Sequence, residues 1–172
     1  FARLVPSTGG TVVACIRREN PVVVLVDVRT GEVRSTSIQP ARMLVPLCFV
    51  DDHQGFLVYR SEAQKPGMGE FVLLALDGSF QPVRGQPEPF LDALDQPLQS
   101  AAGNDFWVAV PTNAEETQIG TIDRSTLEFK SRATFPHLQL SSSQIWVDET
   151  AGTVYATSGG DLLSLPIAQA GP

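Results

Sequence analysis

Histidine and cysteine are scarce in this sequence, with two of each among 172 residues. Two histidines cannot build the three-histidine site that many catalytic zinc ions require. Two cysteines, Cys15 and Cys48, are too few for a fold held together by disulfides. Both cysteines lie in predicted strands, where a free cysteine behaves as a small apolar residue. Three states of the pair are left open: two buried thiols, one disulfide between neighbouring structural units, or a reactive thiol.

Positive charge and long apolar runs are also lacking. Twelve Lys and Arg residues stand against nineteen Asp and Glu residues, which gives a net charge of -7. Nucleic acids and anionic lipid surfaces attract basic faces, so this balance argues against both as partners. No apolar run approaches the ~20 residues that a membrane-spanning helix needs. The sequence therefore predicts a globular protein with no membrane span and no nucleic-acid partner.

Motifs that carry chemistry are missing as well. The sequence has no nucleophile elbow, phosphate-binding loop, zinc-protease helix or calcium-binding loop. The turn Asp51-Asp52-His53 places three ligand types side by side, but adjacent turn residues rarely converge on one ion. We therefore expect no cofactor and no metal ion. Whether the protein is an enzyme is left uncertain, and the sequence favours a protein that is not an enzyme.

A hairpin that begins with aspartate recurs along the chain. Its clearest copy, residues 22–38, reads VVVLVDVRTGEVRSTSI: an apolar strand, Asp27, a short turn with Gly31 and an alternating strand. Shorter versions occupy 71–84 and 119–132. We expect the leading aspartates, Asp27, Asp77 and Asp123, to bond turn amides, and Gly31 to adopt positive φ.

The hairpins recur at intervals of about 40–50 residues, which is the length of a four-stranded propeller blade. Residues 1–172 are therefore predicted to form a single all-β domain or segment, a β-propeller of about four blades with the last incomplete. The blades are predicted at 1–39, 40–86, 95–134 and 139–167. The prediction leaves open that further blades, or a second copy of the chain, complete the ring. A β-sandwich is the alternative fold. The predicted strands are 2–5, 11–17, 22–28, 32–38, 44–50, 56–60, 70–76, 79–84, 98–102, 106–110, 118–122, 127–133, 143–147, 153–157 and 161–165.

The loops on one side of such a propeller surround its central channel and commonly bind ligands. Mapped onto the predicted strands, cationic side chains collect on that side and form a predicted basic patch. A carboxylate or phosphate group would suit this patch, and solvated loop charge is the alternative. The members of the predicted basic patch are Arg17, Arg18, Arg42, Arg60, Lys65 and His137.

Two tryptophans, Trp107 and Trp146, alternate with polar neighbours inside predicted strands. This alternation indicates packing between neighbouring blades, and it does not indicate exposed platforms for sugar stacking.

The clearest hairpin carries a family resemblance. Asp27, Thr30 and Gly31 in VVVLVDVRTGEVRSTSI resemble the blade pattern of quinoprotein-type propellers, and of the related surface-protein and amine-dehydrogenase heavy-chain propellers. In these proteins an apolar strand is followed by Asp, two residues, Thr-Gly and a further strand. The resemblance implies a bacterial, secreted protein of periplasmic or extracellular location.

The sequence thus favours a non-catalytic β-propeller scaffold that binds a protein or a small ligand at its loop-rich face. Part of a propeller enzyme, such as a lactonase-like or dehydrogenase-like subunit, is the first alternative. A structural subunit of a larger assembly is the second.

Overall fold

A computed structural model describes residues 2–7, 12–17, 22–37, 41–62, 69–87, 105–113, 116–136, 145–158 and 160–167. The chain divides into two compact units, 1–83 and 84–172, and each is described by itself. In the described residues all regular structure is β-strand, apart from a short 3-10 helix at Asp51–His53. The all-β class is confirmed.

The first unit contains two antiparallel sheets, and in each the strands pair in chain order. The first sheet consists of β1 (Ala2–Pro6), β2 (Val12–Arg17), β3 (Val22–Asp27) and β4 (Val33–Ser37). The second sheet consists of β5 (Ala41–Val50), β6 (Gly55–Glu62), β7 (Gly69–Ala75) and β8 (Phe80–Pro82).

Alternating apolar residues build the core between these two sheets. Val23 and Leu25 are buried on one face of β3, because side chains two residues apart share a face of a strand. Strands β1 and β2 contact β5. The buried core cluster of the first unit is Val5, Val23, Leu25, Leu44, Phe56, Val58, Val72 and Leu74.

The second sheet is buried on both faces. Phe56 and Val58 belong to the core cluster, and Leu57 and Tyr59, which alternate with them along β6, are equally inaccessible. A strand covered on both sides reads as a continuous apolar run, and FLVY in β6 is such a run.

The second unit contains the third and fourth sheets. The third consists of β9 (Asp105–Asn113), β10 (Glu116–Asp123) and β11 (Phe129–Pro136), in the order β11-β10-β9. The last consists of β12 (Ile145–Asp148), β13 (Thr153–Ser158) and β14 (Asp161–Pro166), in chain order. All pairings are antiparallel.

A register shift between Ile119 and Gly120 interrupts the pairing of β10 with β11. A Cβ atom at Gly120 would collide with the Phe129 ring and with the backbone carbonyl of Lys130. Only glycine lets the two strands approach this closely at the bulge.

The observed strands agree with the predicted ones to within a few residues at each end. The predicted strand at 98–102 lies outside the described residues. The arrangement of blades around one axis, the single-domain organisation and the blade boundaries stay predictions, and the β-sandwich alternative stays open.

Candidate functional site

The aspartates that lead the hairpins bind their own turns, as predicted. Oδ1 of Asp27 accepts bonds from the amides of Arg29 and Thr30 at 2.9 and 3.0 Å. Oδ1 of Asp123 accepts from the amides of Ser125 and Thr126 at 2.8 and 2.9 Å, and from the Ser125 hydroxyl at 2.7 Å. These carboxylates stabilise the turns by accepting hydrogen bonds from turn amides.

Hydrogen bonds to the ionised carboxylates lower their pKa values. The Ser125 hydroxyl and the Thr126 amide lower the pKa of Asp123 to about 2. The hydroxyl and amide of Ser79 hold the pKa of Asp77 below its usual range, and the Thr30 amide does the same for Asp27. At neutral pH all three are charged and poorly suited to donate protons, so they are not candidates for general acids.

Arg60 is the member of the predicted basic patch whose side chain the structure describes. Its guanidinium binds Glu70 on the neighbouring strand through Nη2 and through Nε, the latter at 3.1 Å from Oε1. Its Cζ atom also lies 4.9 Å from the centre of the Phe80 ring. An arginine with these two contacts stabilises the end of the second sheet and offers little free charge to a ligand.

The other patch members are less defined. Arg17 ends β2 and Arg42 lies in β5, but their side chains lie outside the described part of the structure. Arg18, Lys65 and His137 lie outside the described residues altogether. The predicted basic patch therefore stays a prediction.

A shallow recess of about 210 Å³ lies beside the β3–β4 turn. Charged groups at its rim are already paired, since Nε of Arg34 donates to Oε1 of Glu32 at 2.9 Å and Asp27 bonds its own turn. The recess therefore has few polar groups left to recognise a ligand. Its lining residues are Leu25, Asp27, Glu32, Arg34 and Leu76.

The first sheet presents an apolar face to solvent, here called the first open face. It lies opposite the face that carries Val23 and Leu25. Leu4 is 66% exposed and Val33 is 62% exposed. Backbone pairing aligns Leu4 with Val24 and Ser35 across the sheet, and Pro6 with Val26 and Val33. The described members of the first open face are Leu4, Pro6, Val22, Val24, Val26, Val33 and Ser35.

The last sheet presents a second face with large apolar side chains exposed among polar ones, here called the last open face. Trp146 is 47% exposed and Leu162 is 67% exposed, whereas Val154 and Ala156 on the opposite face are fully buried. Trp146 pairs with Tyr155, which pairs with Ser164. The described members of the last open face are Trp146, Asp148, Thr153, Tyr155, Thr157, Leu162, Ser164 and Pro166.

The two tryptophans differ in their surroundings. Trp107 is 5% exposed, and its indole Nε1 donates to Oε1 of Glu149 in the β12–β13 turn, so it is buried, whereas its packing between propeller blades stays a prediction. Trp146 is 47% exposed in the described part of the chain, and its packing between blades also stays a prediction.

Sequence reasoning missed both open faces, although a signal was present. The run VVVLV in β3 is apolar at every position, which is typical of a strand covered on both sides. Among the described residues of β3, Val23 and Leu25 are buried, whereas Val22, Val24 and Val26 on the other face are half-buried.

Other site types are not found in the described part of the chain. No group of three or more His, Cys, Asp or Glu side chains is placed to hold a metal ion there. None of the described segments is a helix of the length and apolarity that a membrane crossing requires.

Comparison with known proteins supports the fold alone. No protein-family model and no curated protein matches the chain. The chain is similar to a solved structure described as a functionally unknown protein from Desulfotomaculum acetoxidans DSM 771, with 14% identity and a TM-score of 0.52. The match covers 98% of this chain and 52% of that one, so this chain spans about half the length of that protein.

Proposed function

We propose that this chain is a non-catalytic β-propeller scaffold that binds a protein partner through its two open faces. The observation that carries the proposal is the apolar surface formed by Leu4 and Val33 on the first sheet and by Trp146 and Leu162 on the last sheet. Exposed apolar patches on folded domains mark sites of protein interaction.

The chemistry of the open faces suits a protein better than a small polar ligand. Apart from Asp148 at the end of β12, their described members carry no formal charge, although the chain as a whole is acidic. Trp146 and Tyr155 combine a large apolar ring with one polar group, and such residues are enriched in the energetically dominant parts of protein interfaces.

The loop-rich face, by contrast, receives less support from the described side chains. Arg60 is occupied by Glu70 and Phe80, so it has little capacity left for a carboxylate or phosphate ligand. The binding function is therefore assigned to sheet faces rather than to the predicted basic patch. The secreted location stays an expectation from the family resemblance.

Site-specific photo-crosslinking in the cells that make the protein tests the proposal. A photoreactive phenylalanine analogue replaces Leu162 or Leu4 in the full chain. Matched control variants carry the analogue at Glu128 or Lys130, which are exposed and lie on neither open face. We expect protein adducts from the open-face positions and none from the controls. Absence of adducts from Leu162 and Leu4, in variants that melt like the parent, would overturn the proposed function.

A further inference from the structure

We infer that the partner protein contributes an extended, basic segment that pairs with the outer edge of the last sheet. This edge is the side of β14 that faces away from β13, here called the β14 edge. The segment adds a fourth strand and so extends the last open face, to which Leu162 and Ser164 belong. The inference rests on the proposed function, because it names the chemistry of the partner and the way it binds.

In its described residues the last sheet has one strand fewer than either sheet of the first unit. In those two sheets the third strands, β3 and β7, pair with a fourth strand, β4 and β8. The third strand of the last sheet, β14, pairs with β13 only. Strand β11 contacts β14 but belongs to another sheet. Among the described residues the β14 edge is therefore open to a further strand.

The groups that β14 presents at this edge follow from its pairing with β13. The amide of Ile167 donates to the carbonyl of Gly152 at 2.8 Å, so these two residues form a hydrogen-bonded pair. Hydrogen-bonded pairs alternate along an antiparallel ladder, and the register of β13 with β14 is unbroken. The N–H and C=O groups of Leu162 and Ser164 therefore point away from β13, towards the β14 edge.

Pro166 limits the length of this edge. Its nitrogen has the same direction as that of Ser164, because the two residues lie two positions apart, and it has no hydrogen to donate. A partner strand therefore finds amide donors at Leu162 and Ser164 and none at Pro166. Such an edge suits one short extended segment of a partner.

Burial also distinguishes β14 from a third strand that has a fourth neighbour. Val23 and Leu25 on the core face of β3 are 2% and 9% exposed. Leu163 and Leu165 lie on the face of the last sheet that carries the fully buried Val154, yet both are only half-buried. A fourth strand with apolar side chains on this face would cover them.

The charge of the last sheet indicates a basic segment. Its described residues include Asp148, Glu149 and Asp161 and contain no Lys, Arg or His. A strand that carries Lys or Arg would therefore approach with favourable electrostatics. The expected segment alternates, with apolar side chains beside the half-buried leucines of β14 and basic side chains on the last open face.

Peptide binding to the purified full chain is the first test. The probe is a fluorescently labelled synthetic peptide of alternating valine and lysine, and fluorescence anisotropy measures its affinity. We expect binding that weakens as salt is added, because the charges of peptide and sheet are opposite. No binding of this peptide at low salt would overturn the inference.

Two N-methylated peptides test whether the backbone makes the contact. In antiparallel pairing, residues opposite Leu162 and Ser164 share their face and direct their amides to β14, so these are the lysines of the probe. Methylation of the lysine amides should therefore weaken binding roughly tenfold or more, whereas methylation of the valine amides should have little effect. Both peptides keep the same side chains and charge. Equal affinities of the two would overturn the inference.

Variants of the chain locate the binding edge. Ser164→Pro removes an amide donor at the β14 edge but none of the bonds to β13, and it should weaken peptide binding roughly tenfold. The matched control, Ser164→Ala, keeps the amide and should bind like the parent. Circular dichroism melting establishes that both variants fold. Equal binding by the two folded variants would overturn the inference, and the N-methylated peptides test it on the parent chain independently.

The crosslinking experiment described above separates this inference from the proposed function. Adducts from Leu162 that are lost in Ser164→Pro and kept in Ser164→Ala support both. Adducts of equal yield in the two variants would leave the proposed function standing and overturn the β14 edge as the binding site. Adducts that consist of two copies of this acidic chain would likewise overturn the basic segment of a different protein as the occupant.

Discussion

The β3–β4 turn and the β10–β11 turn have the same backbone bonds but different residues at the critical position. In the first, the amide of Gly31 donates to the carbonyl of Asp27 at 2.8 Å. In the second, the amide of Leu127 donates to the carbonyl of Asp123 at 2.9 Å. Gly31 has φ +72° and Leu127 has φ +51°, so both occupy the left-handed region.

The difference shows what is essential to this turn. Glycine reaches positive φ without steric cost, whereas leucine does not. Leu127 is only 1% exposed, while a Cβ atom at Gly31 would have no neighbour within 4 Å. The aspartate is common to both turns, and burial of the Leu127 side chain stabilises a backbone conformation that leucine disfavours.

The largest effect is expected from replacing Leu127. Leu127→Ala should lower the free energy of unfolding by about 3 kcal/mol, because it loses the buried side chain and keeps the strained φ. Leu127→Gly loses the same side chain but relieves the strain, so it should cost less, about 2 kcal/mol. Urea unfolding measures both. The opposite order would contradict the assignment of strain to this position.

The second effect concerns the carboxylate that holds the same turn. Asp123→Ala removes the bonds to the Ser125 and Thr126 amides and should lower the free energy of unfolding by about 1 kcal/mol. Lys130→Ala, on the exposed side of the adjacent strand, is the matched control and should change little. If both variants unfold at the same urea concentration, the carboxylate does not stabilise the turn.

A smaller effect is expected at Gly31. Gly31→Ala meets no neighbouring atom, so its cost is the backbone strain alone, about 1 kcal/mol or less. Gly31→Asn should cost less than Gly31→Ala, because asparagine tolerates positive φ better than alanine does. Thermal melting compares the two variants, and equal melting temperatures would count against a left-handed Gly31.

The smallest effect is the contribution of single turns to the pH dependence of stability. The folded-state pKa of Asp123 is about 2, below the usual 3.8, so its stabilisation is complete above 3.8 and is lost as pH falls towards 2. Asp123→Asn should flatten the loss of stability between these pH values. Urea unfolding at several pH values measures the slope, and an unchanged slope would exclude ionised Asp123 as a stabilising group.

Local features of the fold were predictable from the sequence, whereas long-range ones were not. The strands and the Asp27 turn follow from alternation and turn chemistry within a few residues. The left-handed Leu127 could not be predicted, because its cause is burial by distant residues. The pairing of Arg60 with Glu70 depends on the register of β6 and β7, which the sequence leaves open.

The candidate site shows the same limit. The exposure of Trp146 and Leu162 depends on long-range packing, which the local pattern of residues does not determine. The alternating pattern of β12 and the fully apolar β3 indicate that a face is apolar, but they do not say what covers it.

The chain-order pairing of the strands has a consequence for how the protein is made. In all four sheets every hydrogen-bonded neighbour among the described strands is also the next or previous strand along the chain. Only short loops must close to form such a sheet, which keeps the entropic barrier low and the folding rate high. Each sheet can therefore assemble as it emerges from the ribosome, before the following one has been synthesised.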